Sequence, residues 1–240
     1  MELISAKAYF KASIEDKLQF PVSTCSVTIS VGQRSQEGAK LAATINIINK
    51  KFKSCAIMVC DSLQRHTLEI DQTYDRTTLH EKANKIGEQW LKSNQKYFSI
   101  FSIPFEIIRW DTWLTHPQYN TKRSTINNLF NTNIDYQNQL LLASNIFIER
   151  YQAINHITLN PVDALHCSLE YLKEECAVML LWADKKYNFE IYPSKRNAAF
   201  AATYKYLIAP TDLNILKPIS LELKSRHSKC LQKLFLPLDK

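Results

Sequence analysis

Residues 54–61 (Ser-Cys-Ala-Ile-Met-Val-Cys-Asp) form an unbroken apolar run that stops at a carboxylate. A strand with one wet face alternates apolar and polar side chains. A run without alternation suits a strand covered on both faces, as in a parallel sheet flanked by helices. Segment 25–30 (Cys-Ser-Val-Thr-Ile-Ser) is equally rich in strand formers. Between the two, residues 36–52 carry Leu41, Ile45, Ile48 and Phe52 at helical spacing. The pattern then predicts a long helix over 75–98 and a strand over 104–109. Helices over 122–131, 136–156 and 161–184 follow, then a strand over 188–192. Strand alternating with helix argues for a single Rossmann-like α/β domain with a mostly parallel sheet, spanning 1–240. The tail after Lys217 has mixed character and receives no assignment.

A chain of 240 residues that is 45% hydrophobic, with eleven Tyr, eleven Phe and four Trp, can bury one substantial core. A formal charge of +7 suggests a polyanionic partner, weakly by itself. Cys25, Cys55, Cys60, Cys167, Cys176 and Cys230 show no CxxC spacing, and no Cys or His pair has a chelating separation. Buried free thiols in a reducing compartment are expected, with no metal. No apolar stretch reaches transmembrane length and the N-terminus lacks a signal-like core, so a soluble cytoplasmic protein with no membrane partner is expected, as a monomer.

The chain contains only three glycines, Gly32, Gly38 and Gly87, which cannot build G-x-G-x-x-G or a Walker loop. No G-x-S-x-G elbow is present, and no histidine falls in a recognisable catalytic context. The basic stretch 224–229 (Lys-Ser-Arg-His-Ser-Lys) reads as solvated. Three short fragments hold the interest. Residues 27–30 (Val-Thr-Ile-Ser) are an apolar strand ending in Ser30, and Gly32 allows a tight exit. Ligands bind beyond such carboxyl ends, and a following helix would aim its amides at the same space. Tyr171 and Glu175 lie four residues apart, on one face of helix 161–184, whose apolar face carries Ala164, Leu165, Leu169, Leu172, Cys176, Met179 and Leu180. A phenol beside a carboxylate can receive an amine. Tyr192 ends the last strand, before Pro193. Each fragment by itself also reads blandly, as a turn serine, a core-edge pair and a strand terminus.

The ordered set of three resembles the cyclodipeptide synthases, over about Ser26 to Pro193. The family's second signature matches at Tyr171, Leu172 and Glu175, with Ala177 in place of a proline. In its first signature Thr28 replaces a glycine and Thr24 a histidine. Gln33 and the Tyr192–Pro193 pair match the tyrosine–proline branch. The resemblance implies a fold like the catalytic domain of class I aminoacyl-tRNA synthetases. It implies that two aminoacyl-tRNAs are joined into a diketopiperazine with no cofactor. Ser30 would carry the acyl group, Tyr171 and Glu175 would hold its amine, and Tyr192 would assist proton transfer. Ser26, Thr28, Gln33 and Val178 would border the first amino acid's pocket. The hydroxyls of Ser26 and Thr28 suggest a small or polar first residue.

Lys82, Lys85, Lys92 and Lys96 fall within an arc of about 80° on helix 75–98, opposite Leu79, Ala83, Ile86, Trp90 and Tyr97. A lysine face is often only solvated; the resemblance makes this one the tRNA-binding helix. Two alternatives stand beside the synthase: a non-catalytic tRNA-binding protein and a serine-dependent hydrolase of aminoacyl esters.

Overall fold

A computed structural model of the chain describes residues 5–70, 74–184, 187–192, 196–211 and 216–226. Pro193, Cys230 and residues 227–229 of the basic stretch lie outside the described residues. The elements begin with β1 (Ser5–Lys11), α1 (Ile14–Gln19), β2 (Thr24–Ser30), α2 (Gly38–Lys51) and β3 (Ser54–Cys60). Then come α3 (Arg65–Glu69), α4 (Arg76–Phe98), β4 (Phe105–Arg109), α5 (Trp110–Leu114), α6 (Tyr119–Thr132) and α7 (Ile134–Asn155). The last are α8 (Pro161–Asp184), β5 (Phe189–Tyr192), α9 (Ala198–Thr203) and β6 (Lys217–Arg226).

One sheet of order β1-β6-β5-β2-β3-β4 runs through the molecule. Its inner pairings are parallel, and only β1 joins antiparallel, to β6. Strand side chains alternate between faces. On β2 and β3 this sends Cys25, Val27, Ile29, Cys55, Ile57 and Val59 into a core with Leu41, Ile45, Ile48 and Trp90 of α2 and α4. Ala56, Met58 and Cys60 turn the other way, into a core built on α8 with Trp110, Trp113 and Tyr136. Both faces are covered, which is why β3 shows no polar alternation, while β2 turns only the small hydroxyls of Ser26, Thr28 and Ser30 toward α8. Unassigned from sequence, β1 and β6 form one edge of the sheet. Helix α4 buries Leu79, Ala83, Gly87, Trp90, Asn94 and Phe98. Ile86, expected on that face, is instead 39% exposed.

The exchange of Gly87 for Ile86 has a cause in Asp61. This carboxylate follows β3 and is fully buried. It accepts from Arg109 Nε at 2.5 Å, from the Ser62 amide at 2.9 Å and from the Trp110 amide at 3.1 Å. It thereby locks the ends of β3 and β4 together, and α4 crosses directly above. A Cβ on Gly87 would lie 2.3 Å from Asp61 Cβ. Gly87→Ala should therefore lower stability by about 1–3 kcal/mol, outweighing the roughly 1 kcal/mol that alanine adds inside a helix. Urea unfolding checks this; a neutral variant would mean that Asp61 can yield.

Candidate active site

The strand order reverses between β5 and β2, since the chain proceeds from β2 outward to β3 and β4 and returns to the other side only at β5. Crevices at such switch points, beyond the carboxyl ends of the strands, are where open α/β sheets bind ligands. Ser30 ends β2 at this point and Tyr192 ends β5. Ser26, Thr28 and Ser30 share the face that looks toward α8, in register with Ala56, Met58 and Cys60. Ser30 is 8% exposed, while Ser26 and Thr28 are fully buried.

Helix α8 runs antiparallel to the strands and lowers Tyr171 and Glu175 onto the same crevice. The sequence suggested a surface pair; Glu175 is in fact buried and Tyr171 half-buried. The electrostatics tie the four residues together. Burial pushes the Tyr171 phenol well up, aided by the charges of Glu175, Cys60 and Tyr192. Burial and Glu175 also raise Tyr192, while hydrogen bonding with the Ser30 side chain pulls the other way. Gln64 Nε2 donates to Tyr171 Oη at 3.4 Å and to the Cys60 carbonyl at 3.2 Å. Both tyrosines are therefore neutral near pH 7. They can donate or relay protons but not act as phenolate bases.

Two consecutive glutamates behave oppositely. Glu174 receives a two-pronged contact from Arg65, with Nη1–Oε1 at 3.0 Å, and hydrogen bonds from Trp110 Nε1 at 2.8 Å and His66 Nε2 at 3.2 Å. Burial alone would raise its carboxyl, but these partners hold it down at about 2. Glu175 is pushed up to about 8, by burial first and then by the charge of Glu174.

Of the expected pocket residues, Val178 is fully buried on α8. Ser26 Oγ donates to the Phe189 carbonyl at 3.5 Å, and Thr28 Oγ1 finds no partner among the described residues. Beside Ser26 in register stands Glu190, buried and ion-paired with Arg196; Glu190 Oε1 and Arg196 Nη1 are likewise without partners among the described residues. The Gln33 side chain is exposed, though its amide donates to the Ser30 carbonyl at 3.1 Å. Helix α2 begins at Gly38, past a 3-10 turn at Arg34–Gln36, so it starts farther from the serine than expected. Lys85, Lys92 and Lys96 are exposed, Lys96 with Nζ 5.1 Å from the centre of the Tyr97 ring, while Lys82 is half-buried with Nζ 3.1 Å from the centre of the Tyr74 ring.

Sequence reasoning missed Gln36, Gln64, the partners of Glu174, and the Glu190–Arg196 pair. Only Glu174 left a local signal, as a second carboxylate in a helix otherwise apolar enough to be buried. One cavity, of about 660 Å³, opens by Thr24 and Ser54 at the opposite ends of the strands, away from Ser30. A smaller one of about 320 Å³ borders the site, at Arg65, His66, Tyr119, Arg123 and Glu174. Among the described residues no His/Cys/Asp/Glu group could hold a metal ion, and no helix is long and apolar enough to cross a membrane. The five described cysteines are free and buried.

Neither a family model nor a curated protein matches the sequence. Solved structures do. A cyclodipeptide synthase (CDPS) of Fluoribacter dumoffii is 41% identical, with TM-score 0.89 over 93% of this chain and 100% of its own. The chain belongs to the cyclodipeptide synthases. A cyclodipeptide synthase of Candidatus Glomeribacter gigasporarum, solved bound to Phe-tRNAPhe, shares the fold at 14% identity, TM-score 0.72, over 97% of this chain and 100% of its own. A Mycobacterium tuberculosis protein, described as showing that these enzymes are related to type I tRNA synthetases, shares it at 7% identity, TM-score 0.60, over 94% and 96%. Membership of an enzyme family leaves the non-catalytic alternative without support.

In this synthase the raised carboxyl of Glu175 has a measurable consequence. Folded, it keeps its proton up to about 8, against an ordinary value of 4.5. Its contribution to stability is thus full below 4.5 and is lost as pH rises through about 8. The wild-type melting temperature should fall between about pH 5.5 and 8.5, and Glu175→Gln should flatten that fall. Parallel melting profiles for the two proteins would show that Glu175 does not titrate in this range.

Proposed function

We propose that the chain is a tRNA-dependent cyclodipeptide synthase of the tyrosine–proline branch that works through a Ser30 ester. The convergence of Ser30, Tyr171, Glu175 and Tyr192 on one switch-point crevice carries this reading. The tRNA-bound relative from Candidatus Glomeribacter gigasporarum supports the choice of substrate. Ser30 Oγ attacks the ester carbonyl of a first aminoacyl-tRNA. The bond to the tRNA ribose oxygen breaks, and that oxygen takes up the serine proton. Tyr171 and Glu175 hold the amine of the Ser30-bound residue. That amine attacks the ester of a second aminoacyl-tRNA; the bond to the second ribose oxygen breaks, that oxygen leaves with the amine's proton, and a dipeptidyl ester stays on Ser30. The new terminal amine then attacks the Ser30 ester carbonyl; the ring closes, the bond to Ser30 Oγ breaks, and Tyr192 assists transfer of the amine proton to that oxygen. The tRNA esters supply the driving force, so no cofactor is needed, and charged tRNA as substrate assigns the enzyme to the cytoplasm.

The first residue's pocket is read as bordered by Ser26, Thr28 and Val178. Thr28 adds bulk where glycine would leave room, and its hydroxyl and the neighbouring Glu190–Arg196 pair make the wall polar. Burying such groups against a large apolar side chain is costly, so a small or polar first residue is favoured.

Incubation with labelled aminoacyl-tRNA should leave label on Ser30, and Ser30→Ala should lose both label and diketopiperazine while keeping its melting temperature. A labelled Ala variant would overturn the nucleophile. Free amino acid as the main product would favour the hydrolase, and cyclo(Leu-Leu) would overturn the pocket reading alone.

Lys85, Lys92 and Lys96 are proposed to hold the tRNA backbone. Changing all three to Glu should lower the steepness of the log-affinity against log-salt plot by about 2–3. Thermal stability should barely move, because these side chains are solvated. Unchanged binding at moderate salt would show that tRNA docks elsewhere.

A further inference from the structure

The end of β2 is held by a side chain, and that side chain is Gln36. In a parallel ladder, the carbonyl of residue i and the amide of residue i+2 point the same way and bracket one residue of the neighbouring strand. The Asn188 amide donates to the Thr24 carbonyl at 3.0 Å, so the backbone groups of Thr24, Ser26, Thr28 and Ser30 turn toward β5. The β2–β5 ladder covers only Cys25 to Val27 against Phe189 to Ile191. Tyr192 stays paired with Ser220 of β6 but has parted from β2. The two strands thus separate just before Ser30, and this opens the crevice.

Gln36 fills the position that the lost strand would have taken. Its Nε2 donates to the Thr28 carbonyl at 2.6 Å, and its Oε1 accepts from the Ser30 amide at 2.6 Å. One carboxamide therefore stands in for one peptide unit of an absent neighbour. It is only 3% exposed, so water does not compete for these bonds. The 3-10 turn Arg34–Gln36 brings it back, with the Gln33 amide bonded to the Ser30 carbonyl and the Gln36 amide to the Gln33 carbonyl at 2.8 Å. The loop after Ser30 is closed on itself at three points.

We propose that Gln36 is a positioning residue for the Ser30 nucleophile. It lets β2 and β5 part to admit substrate while keeping the serine backbone in strand geometry, so that Oγ keeps its aim at the ester carbonyl. Because the Ser30 amide is engaged by Gln36, this amide is not free to serve a developing oxyanion. The proposal rests on the Ser30 reading above.

The test is the single-turnover rate of Ser30 labelling by aminoacyl-tRNA, measured beside tRNA affinity and melting temperature. Gln36→Leu removes both bonds and should slow labelling by about 100-fold, the scale of a misplacement near 1 Å, with tRNA affinity unchanged. Gln36→Glu keeps the shape but loses the donor to the Thr28 carbonyl when ionised. Its labelling rate relative to wild type should therefore be low at neutral pH and recover as pH falls and the carboxyl takes up a proton. This second variant decides the matter if Gln36→Leu does not fold. Wild-type rates in a folded Gln36→Leu, or a pH-independent ratio for Gln36→Glu, would overturn the positioning role while leaving the ester intact. Wild-type protein that takes no label on Ser30 would overturn the ester reading and this inference with it.

Discussion

Two neighbouring carboxylates in the most deeply buried helix set the terms for everything around the crevice. Burying a charge is costly unless it is paired and hydrogen-bonded. Glu174 meets that condition through Arg65 and His66 of α3 and Trp110 of α5. Those contacts pin α3 and the start of α5 against α8. Glu175 looks the other way, toward Tyr171, Tyr192 and Cys60, and bears the repulsion of its neighbour. One glutamate spends its charge on architecture. The other is left with a carboxyl that changes state near neutral pH, a common property of groups that handle protons.

The same division appears at the strand ends. The central strands β2 and β3 both stop at a buried polar residue, and the two stops are chemically distinct. Asp61 after β3 is fully tied to Arg109, Ser62 and Trp110 and makes the floor rigid. Ser30 at the end of β2 has its backbone held by Gln36, while its hydroxyl engages the Tyr192 phenol. A rigid backbone with the hydroxyl beside a proton-relaying phenol is what a positioned nucleophile requires.

How much of this is legible in the sequence depends on whether the cause is local. The doubly covered strands and α8 follow from runs of apolar residues and needed no partner to be recognised. In β6 the alternation of Ile219, Leu221 and Leu223 with Ser220, Glu222 and Lys224 is a strand signal, but its antiparallel partner lies at the other end of the chain. Helical spacing favoured Ile86 for the core of α4, yet the approach of Asp61 makes room only for Gly87. Ser30, Tyr171, Glu175 and Tyr192 were legible as an ordered set, through resemblance and not through spacing. Gln36 and the Glu190–Arg196 pair were invisible, because each answers a vacancy or charge created by strands that meet only in three dimensions.

The value of about 8 for Glu175 bears on how the proposed ring closure handles protons. A free α-amine has an ordinary pKa of about 7.7–8.0, so amine and carboxyl are nearly matched in proton affinity. An incoming ammonium would favour the carboxylate of Glu175 and lower it, since opposite charges stabilise each other. Pairing draws the two values apart, but from a nearly matched start the gap stays smaller than it would be for an ordinary carboxylate. An amine must be neutral to attack an ester. A carboxylate at its ordinary value would bind the ammonium well but would be a poor acceptor for its proton. A carboxyl raised by burial and by Glu174 is a better base at the moment the amine must give the proton up. On this argument the repulsion within α8, unfavourable to the folded chain, would make the proposed amine site competent for transfer and not merely for binding.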